Sequence, residues 1–107
     1  MFVTQDKIEK LDFAKGILLQ RLARGDAISA VHWDFSEGAE LPEHEHAEEQ
    51  FGYIIKGGFE VTIGGETCVL RAGEAYYVPP HTLHKFVSLG PTQAIDVFTP
   101  VRVVRSA

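Results

Sequence analysis

At 107 residues, with 10 basic against 15 acidic side chains and a net charge of −5, the chain is long enough for one hydrophobic core and has no basic stripe suited to a phosphate backbone. No apolar run approaches the roughly 18 residues of a membrane span, so neither nucleic acid nor membrane is an expected partner. The single cysteine, Cys68, excludes an internal disulfide and a cysteine-rich zinc site, and is expected to be a small core or surface residue.

Met1 to Lys7 lacks the basic and then apolar pattern of a secretory signal, so a cytoplasmic location and a single domain over 1–107 are expected. Residues 5 to 14 predict one amphipathic turn of helix with Ile8, Leu11 and Phe13 inward, too short to persist without packing. Apolar stretches then recur between turn signals: Gly16 to Leu22, Ala27 to Phe35, Phe51 to Ile55, Phe59 to Ile63, Glu66 to Leu70, Ala75 to Val78, Lys85 to Leu89 and Ala94 to Phe98. This spacing predicts an all-β sandwich or barrel. Gly64-Gly65 reads as a tight hairpin turn, because glycine supplies the positive φ that two-residue turns need. Gly57-Gly58, Arg71-Ala72-Gly73, Val78-Pro79-Pro80 and Leu89-Gly90-Pro91 mark further connections, since proline cannot donate to a central ladder.

Gly38 to Gln50 concentrates the chemistry. His44 and His46 share one face if they lie on an extended strand, Gln50 follows four residues on, and His84 comes after glycine and proline punctuation that brings the chain back. A closed antiparallel barrel would turn these four donors toward a cavity. Imidazole suits zinc, copper, iron and nickel rather than calcium or magnesium. On spacing alone, a metal site stands beside the alternative of solvated loop histidines flanked by Glu43, Glu45, Glu48 and Glu49.

Gly38, His44, His46, Gln50 and Gly57 reproduce the spacing of the first cupin motif, and Gly73, Pro79 and His84 that of the second; the segment from Gly38 to about Arg102 thus resembles the cupin family. His81 stands where glycine is usual, and Ser88 replaces an asparagine. The resemblance implies a double-stranded β-helix (jelly-roll) barrel in which His44, His46, Gln50 and His84 bind one divalent ion: zinc, nickel, iron, manganese or copper. It implies a homodimer paired through amino-terminal strands as well. Gln50 replaces the usual glutamate, leaving three imidazoles and an amide with no ligand charge to offset the ion, a set that favours Lewis-acid behaviour. Glu49 could substitute only by a register slip that turns it to the opposite face.

His44-Glu45-His46 with Gln50, Gly64-Gly65-Glu66-Thr67, and Asp96-Val97-Phe98-Thr99-Pro100 with Arg102 together resemble the small single-domain cupins of the pectin degradation protein group, which open unsaturated monouronates. That resemblance makes Asp96 the acid/base residue, Phe98 a pocket wall and Arg102 a clamp on the sugar carboxylate, and implies a small carboxylate-bearing ligand. Arginine suits a carboxylate through its planar bidentate fork. From the residues alone, Asp96 is equally a solvent-facing strand residue, Phe98 a core residue and Arg102 a surface residue near a loose terminus. Tyr53, Tyr76 and Tyr77 either line the cavity or sit half-buried on strands, and His81 is either at the pocket mouth or on the surface. His32 reads as structural, and Trp33 as core or a subunit contact. Three functions follow: an isomerase-like enzyme on unsaturated uronates, a small cupin dioxygenase, and a non-catalytic ligand- or metal-binding module.

Overall fold

The computed structural model describes residues 1–105. Ten strands alternate with turns: β1 (Leu11–Ala14), β2 (Ile17–Arg24), β3 (Ser29–Phe35), β4 (Glu40–His44), β5 (Glu49–Lys56), β6 (Gly58–Ile63), β7 (Glu66–Arg71), β8 (Ala75–Val78), β9 (His84–Ser88) and β10 (Thr92–Thr99). They form a six-stranded sheet in the order β1-β2-β3-β10-β5-β8 and a four-stranded sheet in the order β4-β9-β6-β7, with every pairing antiparallel. This is the two-sheet jelly roll expected. Among the described residues, no helix is long and apolar enough to cross a membrane.

Strict alternation sets the inner face. On β10, Thr92, Ala94, Asp96 and Phe98 are buried while the residues between them are half-buried. Ile17, Leu19, Val31, Trp33 and Phe35 from the larger sheet meet Phe59, Val61 and Phe86 from the smaller one. Phe35 and Phe59 join the sheets edge to face at 4.9 Å. Each fully buried aliphatic or aromatic side chain stabilises the fold by roughly 1.5–3 kcal/mol.

The Gly64-Gly65 hairpin forms as expected, with φ of 57° and 83°, joining β6 to β7. Gly38, Gly57 and Gly73 also adopt positive φ. The expected helical turn over 5 to 14 is corrected: only Gln5–Lys7 form a 3₁₀ turn, and Leu11–Ala14 pair with β2 as an edge strand. Asp12 lies between Leu11 and Phe13 and is exposed, so the apolar residues alternate with period two, and pairing with Ile17 to Leu19 outweighed a helix too short to nucleate. Cys68 is exposed on β7.

Candidate metal centre and pocket

His44 and His84 are register partners on β4 and β9, and Gln50 is the second residue of β5. The reading of His44 and His46 as two residues of one strand face is corrected: β4 ends at His44, and His46 lies in the turn beyond it. The two imidazoles converge because the chain bends there, and His81 N–H donates to His46 O at 2.8 Å to hold the turn. Ring centroids of His44, His46 and His84 lie 4.1–5.7 Å apart, and their ligand atoms all fall within 4.8 Å of one another.

One backbone device orients all three rings. His44 Nδ1 donates to Pro42 O at 2.9 Å, His46 Nδ1 to Glu48 O at 3.0 Å and His84 Nδ1 to Thr82 O at 2.8 Å. A carbonyl oxygen only accepts, so each Nδ1 carries the hydrogen and each Nε2 presents a lone pair. This carbonyl-oriented arrangement is what metal-ligating histidines require. Burial pushes the His84 pKa down to about 4, and burial followed by the Arg102 charge lowers that of His46, so both are neutral at pH 7.

Two atoms test whether a cation fits. His84 Nε2 is buried with no hydrogen-bond partner. His46 Nε2 stands 3.0 Å from Gln50 Oε1, acceptor facing acceptor. Lone pairs so placed call for a cation, and the imidazole-rich donor set fits zinc or a transition metal. The amide of Gln50 has a second use, because its side chain also hydrogen-bonds Asp96. With Oε1 turned to the histidines, the NH₂ is free to donate to the Asp96 carboxylate; a glutamate would set two carboxylates against each other. Glu49 faces outward and accepts from Tyr77 Oη at 2.6 Å.

Asp96 is 4% exposed and sits on the inner face, not toward solvent. Burial raises its pKa to about 6 against the opposing hydrogen bonds from Tyr76, Trp33 and Gln50. Arg102 is likewise not on a loose tail. Its N–H donates to Ser29 Oγ at 3.0 Å, Ser29 Oγ donates back to Arg102 O at 3.2 Å, and Arg21 Nη2 donates to the carbonyl of buried Val104 at 2.7 Å. The guanidinium lies 6.0 Å from the centroid of the Phe98 ring and 3.3 Å from Glu48 Oε1. A cavity of about 310 Å³, within the range of small-molecule sites, is lined by His44, His46, Gln50, Asp96, Phe98 and Arg102 among others. His84 completes the histidine cluster beneath it.

Glu48 escaped the sequence reading as a site residue, although it supports both His46 and Arg102. Of the two alternatives for Tyr76, cavity lining or a half-buried strand position, its hydroxyl takes the inward one and donates to Asp96, as does the indole of the core residue Trp33. His81 is exposed and outside the pocket, and Tyr53 and Tyr77 face outward.

A jelly roll with three inward imidazoles at one end of its barrel is the architecture of a metal-site cupin. The cupin domain profile matches residues 31–98, and the chain belongs to the cupin family. It is 33% identical over 93 residues to the pectin degradation protein KdgF of Dickeya dadantii, covering 85% of this chain and 84% of that protein. Its fold superposes on the structure of KdgF from Halomonas sp. with a TM-score of 0.92 at 35% identity, covering 95% and 94% of the two chains. A RmlC-like cupin from Shewanella frigidimarina gives 0.91 at 35% identity, covering 94% and 91%.

Proposed function

We propose that the protein opens the ring of 4,5-unsaturated monouronates and releases the linear keto sugar acid. The observation that carries this reading is one cavity lined by His44 and His46 of the histidine cluster, a carboxyl group with pKa about 6 and an arginine. Its likeness to KdgF proteins over most of the chain supports the choice of substrate class.

The chemistry is an isomerisation and needs no second reactant. Asp96 removes the proton of the anomeric hydroxyl, the C1–O5 bond breaks, and C1 becomes an aldehyde. The electron pair passes to O5, which is then an enolate conjugated with the C6 carboxylate. Asp96 returns its proton to C4 and O5 becomes the C5 ketone. A group that must accept and then give a proton works best with a pKa close to the working pH, and burial has moved Asp96 toward it. Arg102 pairs with the sugar carboxylate, and Phe98 packs beside it. His44, His46, His84 and Gln50 would hold a divalent ion, which supplies Lewis-acid polarisation of a substrate oxygen. The protein acts on one small acidic sugar at a time, and we expect it to do so as a homodimer.

The test is loss of the ultraviolet absorbance of a 4,5-unsaturated monouronate on adding metal-loaded protein. Turnover in native protein, and a rate lowered by a factor of ~10²–10⁴ in Asp96→Asn, are expected. No change in absorbance above the spontaneous rate would refute the reading.

A further inference from the structure

Asp96 does not stand alone in the pocket wall. Tyr76 Oη donates to its Oδ1 at 2.6 Å, and Trp33 Nε1 donates to its Oδ2 at 2.9 Å, both in buried surroundings. Gln50 approaches the same carboxylate. A carboxylate offers about four acceptor positions, so the Tyr76 and Trp33 bonds occupy one on each oxygen and leave others for a substrate proton.

The strand register explains how Tyr76 arrives. Tyr76 on β8 pairs with Gly52 on β5, and Gly52 pairs on its other side with Asp96 on β10. Tyr76 therefore reaches across an entire intervening strand. It can do so only because residue 52 has no side chain: a Cβ there would lie 2.0 Å from Tyr76 Cζ and 2.4 Å from its hydroxyl. Glycine weakens a strand interior and often marks close approach of another group. Packing alone would be met by a phenylalanine against Phe86, whose ring lies 5.0 Å from that of Tyr76. The hydroxyl adds a bond to the carboxylate and nothing else.

We propose that Tyr76 and Trp33 are positioning residues that hold the Asp96 carboxylate in one orientation beside the pocket, and that Gly52 is the opening through which Tyr76 reaches it. Asp96 must present the same acceptor position first to a hydroxyl and then, protonated, to a carbon. A carboxylate gripped at both oxygens does not rotate between those events, and misplacement of a reacting group by an ångström costs on the order of 100-fold. The inference takes its substrate from the uronate reading, but the grip itself does not depend on it.

The experiment uses full-length metal-loaded protein with Tyr76→Phe, and with Gly52→Ala as a second variant that keeps the hydroxyl and displaces the ring. The expected result for both is a kcat lowered ~10–100-fold, KM within about twofold of native and unchanged metal content. A readout free of turnover comes from Trp33, the single tryptophan of the chain, whose indole N–H gives one signal in a ¹⁵N-correlated NMR spectrum. That signal is expected to shift and to exchange faster in Tyr76→Phe, because the carboxylate is released on one side. An unmoved indole signal, or a native kcat in Tyr76→Phe, overturns the proposal. If native protein does not turn over the uronate, the uronate reading fails and the indole signal alone decides the grip on Asp96.

Discussion

His84 and His32 are equally buried, each 1% exposed, and burial lowers the pKa of both rings. His84 aims an Nε2 lone pair at two other imidazoles, with its Nδ1 hydrogen spent on a carbonyl. His32 lies on the opposite face of its sheet, alternating with core residues Val31 and Trp33, under the amino-terminal segment. Gln20 fastens that segment there by donating to Gln5 O and Ile8 O. Around His32, Gln5 Nε2 stands at 3.5 Å and Asp34 Oδ2 at 3.8 Å, and Gln93 is a further polar neighbour. Burial and a depressed pKa therefore report desolvation, which both residues share. Only convergence of lone pairs separates a binding site from a covered histidine.

Substituting each histidine is the strongest way to break this comparison. His84→Ala is expected to lower affinity for zinc by more than ~100-fold, measured by competition with a chelator. His32→Gln is expected to keep one equivalent of metal by elemental analysis, with any loss appearing in thermal stability alone. Equal metal loss in the two variants would erase the distinction. Next in size, Arg102→Ala should raise KM for the uronate about 10–100-fold with a smaller change in kcat, because a charge-assisted pair of roughly 1.5–3 kcal/mol is removed. A fall confined to kcat would place Arg102 outside substrate binding.

The pH dependence of stability sharpens the contrast between the histidines and Asp96. In metal-free protein His84 has a folded pKa of about 4, below its unfolded value of 6.5, so its contribution is present above 6.5 and is lost as pH falls toward 4. Asp96 has the opposite sign: its folded pKa is raised from 3.8 to about 6, so it favours the fold at low pH and that contribution is lost as pH rises through 6. Between pH 4 and 6 the two oppose one another. Asp96→Asn should therefore steepen the acid loss of stability in urea unfolding, whereas His84→Gln should flatten it. Identical pH slopes in the two variants would contradict these assignments.

The smallest effect concerns His81, where the backbone matters and the ring does not. Its φ of 56° is a left-handed conformation, and its side chain is exposed. His81→Gly should stabilise the protein by about 1 kcal/mol with metal content unchanged, read from denaturant midpoints. Loss of metal in that variant would bring the imidazole itself into the site.

Much of this arrangement was legible in the chain because the relevant information is local. Two cupin spacings identified His44, His46, Gln50 and His84, and Gly64-Gly65 announced its hairpin. Alternation was less decisive at Asp96, since period two says which residues share a face but not which face is the core. Gln50 looked like an anomalous ligand until its neighbour was known; beside Asp96 its amide has a donor to offer that a glutamate lacks. Leu11 to Phe13 reads as part of a helical turn, and only pairing with β2 makes it a strand.

Glu48, Tyr76 and Trp33 acquire their roles only through pairs far apart in sequence. Trp33 and Asp96 are separated by 63 positions, Glu48 and Arg102 by 54, and Tyr76 reaches Asp96 over a third strand. Spacing can encode which side chains stand next to one another along a strand and where a turn must take glycine. It cannot encode strand order, and strand order put Gly52 between a tyrosine and the carboxylate that the tyrosine holds.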